Sequence, residues 1–307
     1  MKLYFAPMEG ITPYTYRNTH AELFGMCDTY FAPFITPTEN ERLSLKSLRD
    51  LKEENNIIKP MPQVLTNSAA AFLEFADKVS QIGFDEVNLN LGCPSGTVVK
   101  KGRGAAALKD PDKLEKMFDE IFSKVKIKVS VKTRAGFSDH NEFVRLAEIY
   151  NKYPFSEIIV HPRVREEYYR GKAKHETFSV IYEKSEKPLC YNGDIYEVED
   201  YNRIKEVFPN TASVMLGRGA VKNPALFRQI KGGESLKTCE LINFSRILEQ
   251  RYIKVLNSEV FTLYKLKEIW MHMMQNFPEE KKIFKAIKKA NKLSEFNSAL
   301  VCLPELE

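Results

Sequence analysis

Short apolar runs alternate with helical segments over about the first 230 residues of this 307-residue chain, and this alternation constrains its fold more than any other feature. Eight strands are predicted, over residues 2–6, 28–33, 60–65, 84–91, 127–133, 156–161, 188–192 and 212–216. Such a series is typical of a parallel (β/α)8 barrel. A doubly wound sheet would have fewer strands and a Gly-x-Gly-x-x-Gly turn after the first, which is absent.

Capping residues indicate where the helices of this region begin. N-cap residue types and helix-opening prolines predict three starts, at Thr12-Pro13, at Asn67 or Ser68, and at Asp110-Pro111. The last two open helices over 69–81 and from 110 to about 124. Further helices are predicted over 141–152, 177–184 and 197–208, and from Asn223-Pro224 onward.

Polar side chains unusual for strands occur almost entirely where the predicted strands end. They are Met8, Gln63, Asn90, Cys93, Lys132, Arg134, His161, Asn192, Asp194 and Arg218. Barrel enzymes keep their active sites at this carboxyl end of the strands, whereas structural requirements would scatter such residues over both ends. The sequence therefore favours an enzyme.

Cys93 lies just beyond the fourth predicted strand, in which Asn88 and Asn90 alternate with apolar residues. Gly92 permits a tight turn, and Pro94 ends the strand. A free cysteine is commonly a small buried hydrophobe, but a thiol at a glycine-flanked strand end is as often functional. The loop that follows contains cations that can contact phosphate, namely Lys100, Lys101 and Arg103.

Composition excludes several classes of protein. No apolar run approaches the ~20 residues that span a bilayer, and Glu9 with two prolines interrupts what would be a signal-peptide core, so we expect a cytoplasmic protein. Five scattered cysteines and five histidines without paired spacing argue against a disulfide framework and a metal site. The net charge of +5 permits a nucleic-acid partner without indicating one.

The pattern becomes wholly helical after Lys231-Gly232-Gly233, with helices predicted over 239–257, 260–276 and 280–292. The Gly-Gly pair predicts a hinge, giving a barrel domain over 1–233 and a helical domain over 234–307. In the third helix, Ile283, Ile287 and Ala290 form one apolar face. The other face carries six lysines without an acid, Lys281, Lys282, Lys285, Lys288, Lys289 and Lys292. Such a run is either a solvated face or a phosphate-facing surface.

Several short motifs, in order along the barrel, resemble those of the tRNA-dihydrouridine synthases. They are Ala6-Pro7-Met8-Glu9-Gly10, Pro62-Gln63, Asn90-Leu91-Gly92-Cys93-Pro94-Ser95, Gly102-Arg103-Gly104-Ala105, Val131-Lys132-Thr133-Arg134, Val160-His161-Pro162-Arg163, Asn192-Gly193-Asp194-Ile195 and Gly217-Arg218-Gly219-Ala220. The Asn-x-Gly-Cys-Pro-Ser element is specific, and the helical tail is similar to the family's second domain. Pro162 stands where the family commonly has glycine. The loop after His161 therefore differs from the family pattern, and the family's role for the following arginine does not carry over directly to Arg163.

This resemblance implies an FMN cofactor over the barrel mouth. The residues it implies for binding FMN are Pro7, Met8, Glu9, Gln63, Lys132, His161, Asn192, Gly193, Asp194, Gly217 and Arg218. Residues 192–194 and 217–218 would hold the phosphate, and residues 7–9 would border the isoalloxazine. Gln63 would bond the pyrimidine edge, Lys132 would place positive charge near N1 and O2, and His161 would contact the same face.

The implied reaction is reduction of the uracil C5–C6 double bond in tRNA. NADPH or NADH would reduce FMN, hydride would pass to C6, and the Cys93 thiol, with an ordinary pKa of about 8.5, would protonate C5. Asn90 and Arg134 are candidates for contacting uracil or flavin. The RNA would be held by Lys100, Lys101, Arg103 and the lysine face. The loop after the sixth strand either adds charge and stacking to this surface or is simply solvated; its residues are Arg163, Arg165, Tyr168, Tyr169 and Arg170.

Two other functions fit parts of the sequence. A flavin barrel acting on a free pyrimidine, like the dihydroorotate dehydrogenases, would use the same barrel but leaves the basic tail unexplained. A non-catalytic RNA-binding factor would have no need for Cys93 and Lys132, and both are present. We expect a monomer. The sequence specifies neither the uridine that is reduced nor the choice between NADPH and NADH.

Overall fold

The structure, a computed structural model, describes residues 1–37 and 48–306. Within these residues eight parallel strands form one sheet: β1 (Lys2–Phe5), β2 (Thr29–Tyr30), β3 (Gln63–Val64), β4 (Glu86–Leu91), β5 (Lys128–Gly136), β6 (Ile158–Val164), β7 (Leu189–Tyr191) and β8 (Ser213–Leu216). Their order is β2-β1-β8-β7-β6-β5-β4-β3. Parallel bridges Phe31–Met61 and Ile35–Val64 join the two edges of the sheet and close the barrel. The predicted (β/α)8 barrel is confirmed.

Helices cover the outside of the sheet and form the rest of the chain. Around the barrel lie α1 (Tyr14–Leu23), α2 (Ala69–Gln81), α3 (Gly96–Val99), α4 (Pro111–Phe122), α5 (Glu142–Lys152), α6 (His175–Tyr182), α7 (Val198–Val207), α8 (Arg218–Lys222) and α9 (Leu226–Ile230). The tail contains α10 (Thr238–Leu256), α11 (Glu259–Met273), α12 (Lys281–Lys289) and α13 (Leu293–Val301). In the part of the chain that the structure describes, no helix is both long and apolar enough to cross a membrane.

Two of the three predicted helix starts are confirmed. The Ser68 hydroxyl accepts a hydrogen bond from the Ala71 amide, and the Asp110 carboxylate accepts one from Lys113. The Thr12 cap is wrong, because Pro13 occupies the cap position and α1 begins at Tyr14. The Thr12 hydroxyl instead bonds the Met8 amide at 2.9 Å and so fixes the turn that follows β1.

The tail contains one helix more than the sequence predicted. The helix expected over 280–292 ends at Lys289, because Ala290 is extended (φ −53°, ψ 130°). The chain then starts α13, which the sequence pattern did not reveal. The break lets both helices bury apolar side chains, since Ile287 on α12 and Phe296 on α13 are fully buried.

The tail packs on the barrel beside its mouth. Tyr16 of α1 and Phe244 of α10 meet edge to face with ring centroids 5.3 Å apart. On α11, the Lys265 ammonium donates to the Gly10 carbonyl at 2.8 Å, and Gly10 belongs to the loop after β1. The two-domain division at residue 233 stays a prediction, but α11 borders the loops at the carboxyl ends of the strands.

Candidate active site

A network of side-chain amides crosses the barrel interior from β3 to β5. The Gln63 amide donates to Asn88 Oδ1 at 2.7 Å, and Asn88 donates to the Ser130 hydroxyl at 3.0 Å. Asn90 donates to Gln63 Oε1 at 2.8 Å. Each buried amide in this network therefore has partners within the protein, as burial demands. Gln63, predicted to contact a cofactor, is fully buried here and does not line the mouth pocket.

Asn90 also shapes the loop that carries Cys93. Its Oδ1 accepts hydrogen bonds from the backbone amides of Gly92 and Cys93, each at 3.0 Å. From β5, the buried Arg134 donates to the Gly92 carbonyl at 2.9 Å and to the Val164 carbonyl at 3.1 Å. The structure thus gives Asn90 and Arg134, both predicted to contact substrate, hydrogen bonds that position the loop around Cys93.

The far side of the Cys93 loop is held by backbone contacts. The Ala105 amide donates to the Cys93 carbonyl at 3.1 Å. Gly104 has a φ of +58°, and a Cβ at this position would lie 2.8 Å from the Cys93 carbonyl oxygen. Only glycine allows this approach without strain.

The Cys93 thiol is half-buried, and burial raises its pKa above that of an ordinary cysteine. The positive charges of Lys132 and Arg134 act in the opposite direction but are weaker than the burial effect. Cys93 is therefore a protonated thiol at neutral pH, and it can donate a proton.

A second group of residues lines a pocket at the carboxyl ends of β1, β5, β6, β7 and β8. It brings together nine of the eleven residues predicted to bind a cofactor: Pro7, Met8, Lys132, His161, Asn192, Gly193, Asp194, Gly217 and Arg218. Of the other two, Glu9 is exposed beside the pocket and Gln63 lies in the amide network. The prediction of a site at the strand ends agrees with this placement.

Lys132 brings an unpaired positive charge to this pocket. Among residues 1–37 and 48–306 its ammonium has no hydrogen-bond partner and no carboxylate within 4.0 Å. Burial lowers the pKa of Lys132 to about 8, and the neighbouring Arg134 charge adds to the effect. A partly buried cation without a counter-charge is costly, so the pocket is suited to a ligand that brings negative charge.

Arg163 is the main surprise of the site. The sequence left it either in contact with RNA or on a solvated loop, but only 1% of its surface is exposed and its guanidinium forms a bidentate ion pair with Asp194. It also donates to His161 Nε2 at 3.0 Å. The assignment of Arg163 to RNA binding is wrong because Asp194, some 30 residues later, supplies a buried counter-charge.

Arg218 is fixed at the start of α8 by three neighbours. It donates to Asp194 Oδ1 at 2.9 Å, and its guanidinium lies 4.5 Å from the Tyr169 ring centroid and 5.5 Å from that of Tyr196. A Cβ on Gly219 would lie 2.0 Å from the Ile195 carbonyl, so glycine lets the loops after β7 and β8 meet here. Backbone amides and a guanidinium together form a setting for phosphate.

The family described as "Dihydrouridine synthase (Dus)" matches residues 4–305 of the chain. The chain belongs to this family. It is an oxidoreductase that makes dihydrouridine from uridine, which agrees with the reaction inferred from the sequence.

Named relatives resemble nearly the whole dihydrouridine synthase chain. The tRNA-dihydrouridine(16) synthase of Neisseria meningitidis serogroup B is 26% identical over 312 residues, covering 97% of this chain and 93% of the relative. The tRNA-dihydrouridine synthase B of Pseudomonas aeruginosa is 28% identical over 254 residues, covering 80% and 75%.

Solved structures with low sequence identity share the barrel. Morphinone reductase matches with a TM-score of 0.54 at 9% identity, covering 76% of this chain and 86% of that one. Histamine dehydrogenase from Rhizobium sp. 4-9 matches with a TM-score of 0.57 at 12% identity, covering 75% and 45%. These likenesses support the fold of this dihydrouridine synthase and nothing further.

The outer surface of this dihydrouridine synthase carries the predicted basic groups. Lys100, Lys101 and all six lysines from Lys281 to Lys292, on and after α12, are exposed, and Arg103 is partly exposed. None of these lysines has a carboxylate within 4.0 Å in the described ranges 1–37 and 48–306. The same ranges contain no cluster of three potential metal ligands.

Two exposed aromatic residues on α11 were not identified from the sequence. Phe261 is 62% exposed and Tyr264 is 61% exposed. α11 lies between the mouth and α12, since Lys265 bonds Gly10 and the Lys267 ammonium bonds the Ala290 carbonyl at 2.8 Å. Aromatic residues in a helix usually pack inward, so only the packing of the other α11 residues could reveal that these two point outward.

Proposed function

We propose that this dihydrouridine synthase reduces selected uridines in tRNA, with FMN as its bound cofactor and NADPH or NADH as the reductant. The observation that carries the proposal is that a proton donor and an unpaired cation lie near each other at the mouth of the barrel. Cys93 presents a protonated thiol, and Lys132 presents an unpaired cation close enough to influence its pKa. The relatives named as tRNA-dihydrouridine synthases support tRNA as the substrate.

The pocket residues fit FMN in charge and in hydrogen-bonding capacity. The backbone around Gly193 and Gly217, with Arg218, would hold the phosphate at the start of α8. Pro7 and Met8 would border the ring system. Lys132 would supply positive charge beside the ring. FMN, when bound and reduced by the nicotinamide nucleotide, supplies the hydride that reaches uracil C6.

The chain itself supplies the proton for C5. Cys93 would donate the hydrogen of its Sγ to C5 as general acid, and the thiolate left behind would regain a proton from water. Lys132 and Arg134 place positive charge near that developing thiolate, which lowers the cost of the transfer. Asn90 acts one step back, by holding the Cys93 amide through its Oδ1.

The tail would hold the tRNA while its uridine enters the mouth. A base must leave its stack to reach such a site, at a cost of a few kcal/mol, so contacts elsewhere must compensate. We assign these contacts to a helical tRNA-binding domain over 234–307, attached to a catalytic barrel over 1–233. The exposed lysines of α12 would meet phosphates, and Phe261 and Tyr264 would stack on bases.

The test is to incubate unmodified tRNAs with the FMN-loaded protein and NADPH or NADH, and to map two-hydrogen gains by nuclease digestion and mass spectrometry. We expect one mapped uridine to gain two hydrogens. The name of one relative specifies position 16, so the mapped position shows whether this chain acts on the same one. No gain in a full set of tRNAs, with turnover of a free pyrimidine instead, would support the dihydroorotate-type alternative.

A further inference from the structure

Every hydrogen-bond donor of Arg163 has a partner in the structure. A guanidinium offers five N–H groups and no acceptor. Arg163 Nε donates to the Arg170 carbonyl at 3.2 Å, and Nη2 donates to the Gly171 carbonyl at 2.6 Å and to Asp194. Nη1 donates to Asp194 Oδ1 and to His161 Nε2, each at 3.0 Å. The five bonds fix the guanidinium in place, so the protonation of the His161 ring must match the donor that Arg163 presents.

Only one tautomer of His161 is compatible with this contact. Because Arg163 has no lone pair to offer, His161 Nε2 must be the acceptor in this contact and cannot carry a hydrogen. The neutral ring then carries its hydrogen on Nδ1. The charged form would place an N–H against the guanidinium, and Lys132, Arg134 and Arg218 add further positive charge around the ring.

The free nitrogen of His161 is directed to the pocket. Nδ1 has no hydrogen-bond partner within residues 1–37 and 48–306, and it is not sealed from solvent as Nδ1 of His272 is. His161 lines the pocket at the mouth, and its ring lies against Tyr169 with centroids 6.0 Å apart. An N–H aimed into this pocket can bond only an acceptor.

We propose that Arg163 is a positioning residue that holds His161 in its Nδ1–H tautomer, so that the histidine presents a fixed hydrogen-bond donor to an acceptor atom of the bound cofactor. His161 is then neither an acid nor a base in the reaction. The identity of the cofactor rests on the proposed function, whereas the tautomer does not. Asp194 joins the cofactor's phosphate loop to this donor through a single ion pair with Arg163.

The test is 15N NMR of the full-length, ligand-free protein labelled at its five histidines, with His161 assigned by the signal lost in His161→Gln. We expect the Nδ1–H pattern for His161 in the native protein. Native His161 protonated on Nε2 would overturn the proposal without any variant. In Arg163→Met the tautomer should shift toward Nε2–H, while Arg163→Lys, which retains a pure donor, should restore Nδ1–H.

Titration of the same proteins with FMN supplies a second readout. Loss of the fixed donor should weaken FMN binding about ten- to a hundredfold in Arg163→Met, and Arg163→Lys should recover part of it. An unchanged affinity in a folded Arg163→Met with an altered tautomer would overturn the link to the cofactor. If native protein bound no FMN, the proposed function would fail while the tautomer result would still stand.

Discussion

The two sides of the barrel mouth differ in whether their key polar groups have hydrogen-bond partners within the protein. On the Cys93 side, Gln63, Asn88 and Asn90 satisfy one another and the loop backbone. On the Lys132 side, the Lys132 ammonium and His161 Nδ1 have no partners in residues 1–37 and 48–306. The first side is complete in the protein alone and serves to place a thiol. The second requires an anionic, hydrogen-bond-accepting ligand to complete it.

This difference separates residues that position from residues that bind. A buried polar group with all partners present stabilises the fold, whereas one without partners costs stability until a ligand arrives. Substitutions in the amide network of Gln63, Asn88 and Asn90 should therefore lower stability. Substitution of Lys132 should lower ligand affinity while leaving the fold intact or stabilising it.

The largest effect is expected for Cys93→Ala. Removing a general acid should lower the rate of tRNA reduction about 10²- to 10⁴-fold, with FMN affinity unchanged because Cys93 does not line the cofactor pocket. Single-turnover kinetics and flavin titration measure the two quantities. In the native enzyme burial raises the pKa of the Cys93 thiol, so the thiol should lose its proton only above the pH range of an ordinary cysteine. Equal rates in native protein and Cys93→Ala would contradict this assignment.

Lys132→Met should weaken FMN binding roughly a hundredfold through loss of a charge-assisted contact, yet stabilise the ligand-free protein. The lowered pKa of about 8 means that the folded state binds fewer protons than the unfolded state between pH 8 and the ordinary lysine value of 10.5. Stability of the native protein therefore rises with pH over that window.

The advantage of Lys132→Met in free energy of unfolding should accordingly be greatest below pH 8, at about 1–3 kcal/mol, and should shrink toward pH 10.5. Urea titrations of both proteins at several pH values measure it. Lys128→Met, at an exposed position on the same strand, is the matched control. If the Lys132 variant were less stable at pH 7, the contrast between the two sides of the mouth would be refuted.

Asn90→Ala should act through stability. It leaves the Gly92 and Cys93 amides and Gln63 Oε1 without a partner, at a cost of about 1–3 kcal/mol in free energy of unfolding. A double-mutant cycle with Gln63→Ala should show coupling between the two amides. Full stability in the single variant, with an unchanged reduction rate, would show that the network does not hold Cys93.

The smallest effect is expected on the α12 surface. A plot of the logarithm of the tRNA binding constant against the logarithm of salt concentration has a negative slope. Each of Lys282→Gln and Lys285→Gln should make that slope shallower by roughly 0.7–0.9, without altering the rate at saturating tRNA. Lys205→Gln, exposed on α7, is the matched control. Equal slopes for all three variants would remove α12 from the RNA-binding surface.

The fold was predictable because most strands combine an apolar run with a polar residue at or just after the end, as in the stretch from Asn90 to Cys93. The Ser68 and Asp110 caps were predictable because each contact is local. The break at Ala290 was not, since neither glycine nor proline marks it.

The roles of the two buried arginines, Arg134 and Arg163, could not be predicted from their neighbours in sequence. Arg163 pairs with Asp194 and Arg134 bonds Gly92, and each contact joins one strand to the loop that follows another strand. The sequence motifs identify these residues but do not reveal which ones meet each other. Because a guanidinium can contact protein or ligand equally well, only the three-dimensional arrangement shows that both face inward.

The most direct measurement is the rate at which unmodified tRNA reoxidises the reduced cofactor, followed by flavin absorbance in native protein and in Cys93→Ala. We expect both proteins to retain flavin and to accept electrons from the nicotinamide nucleotide, but tRNA to reoxidise only the native protein at an appreciable rate. Equal reoxidation by tRNA in the two proteins would show that the proton at C5 does not come from Cys93.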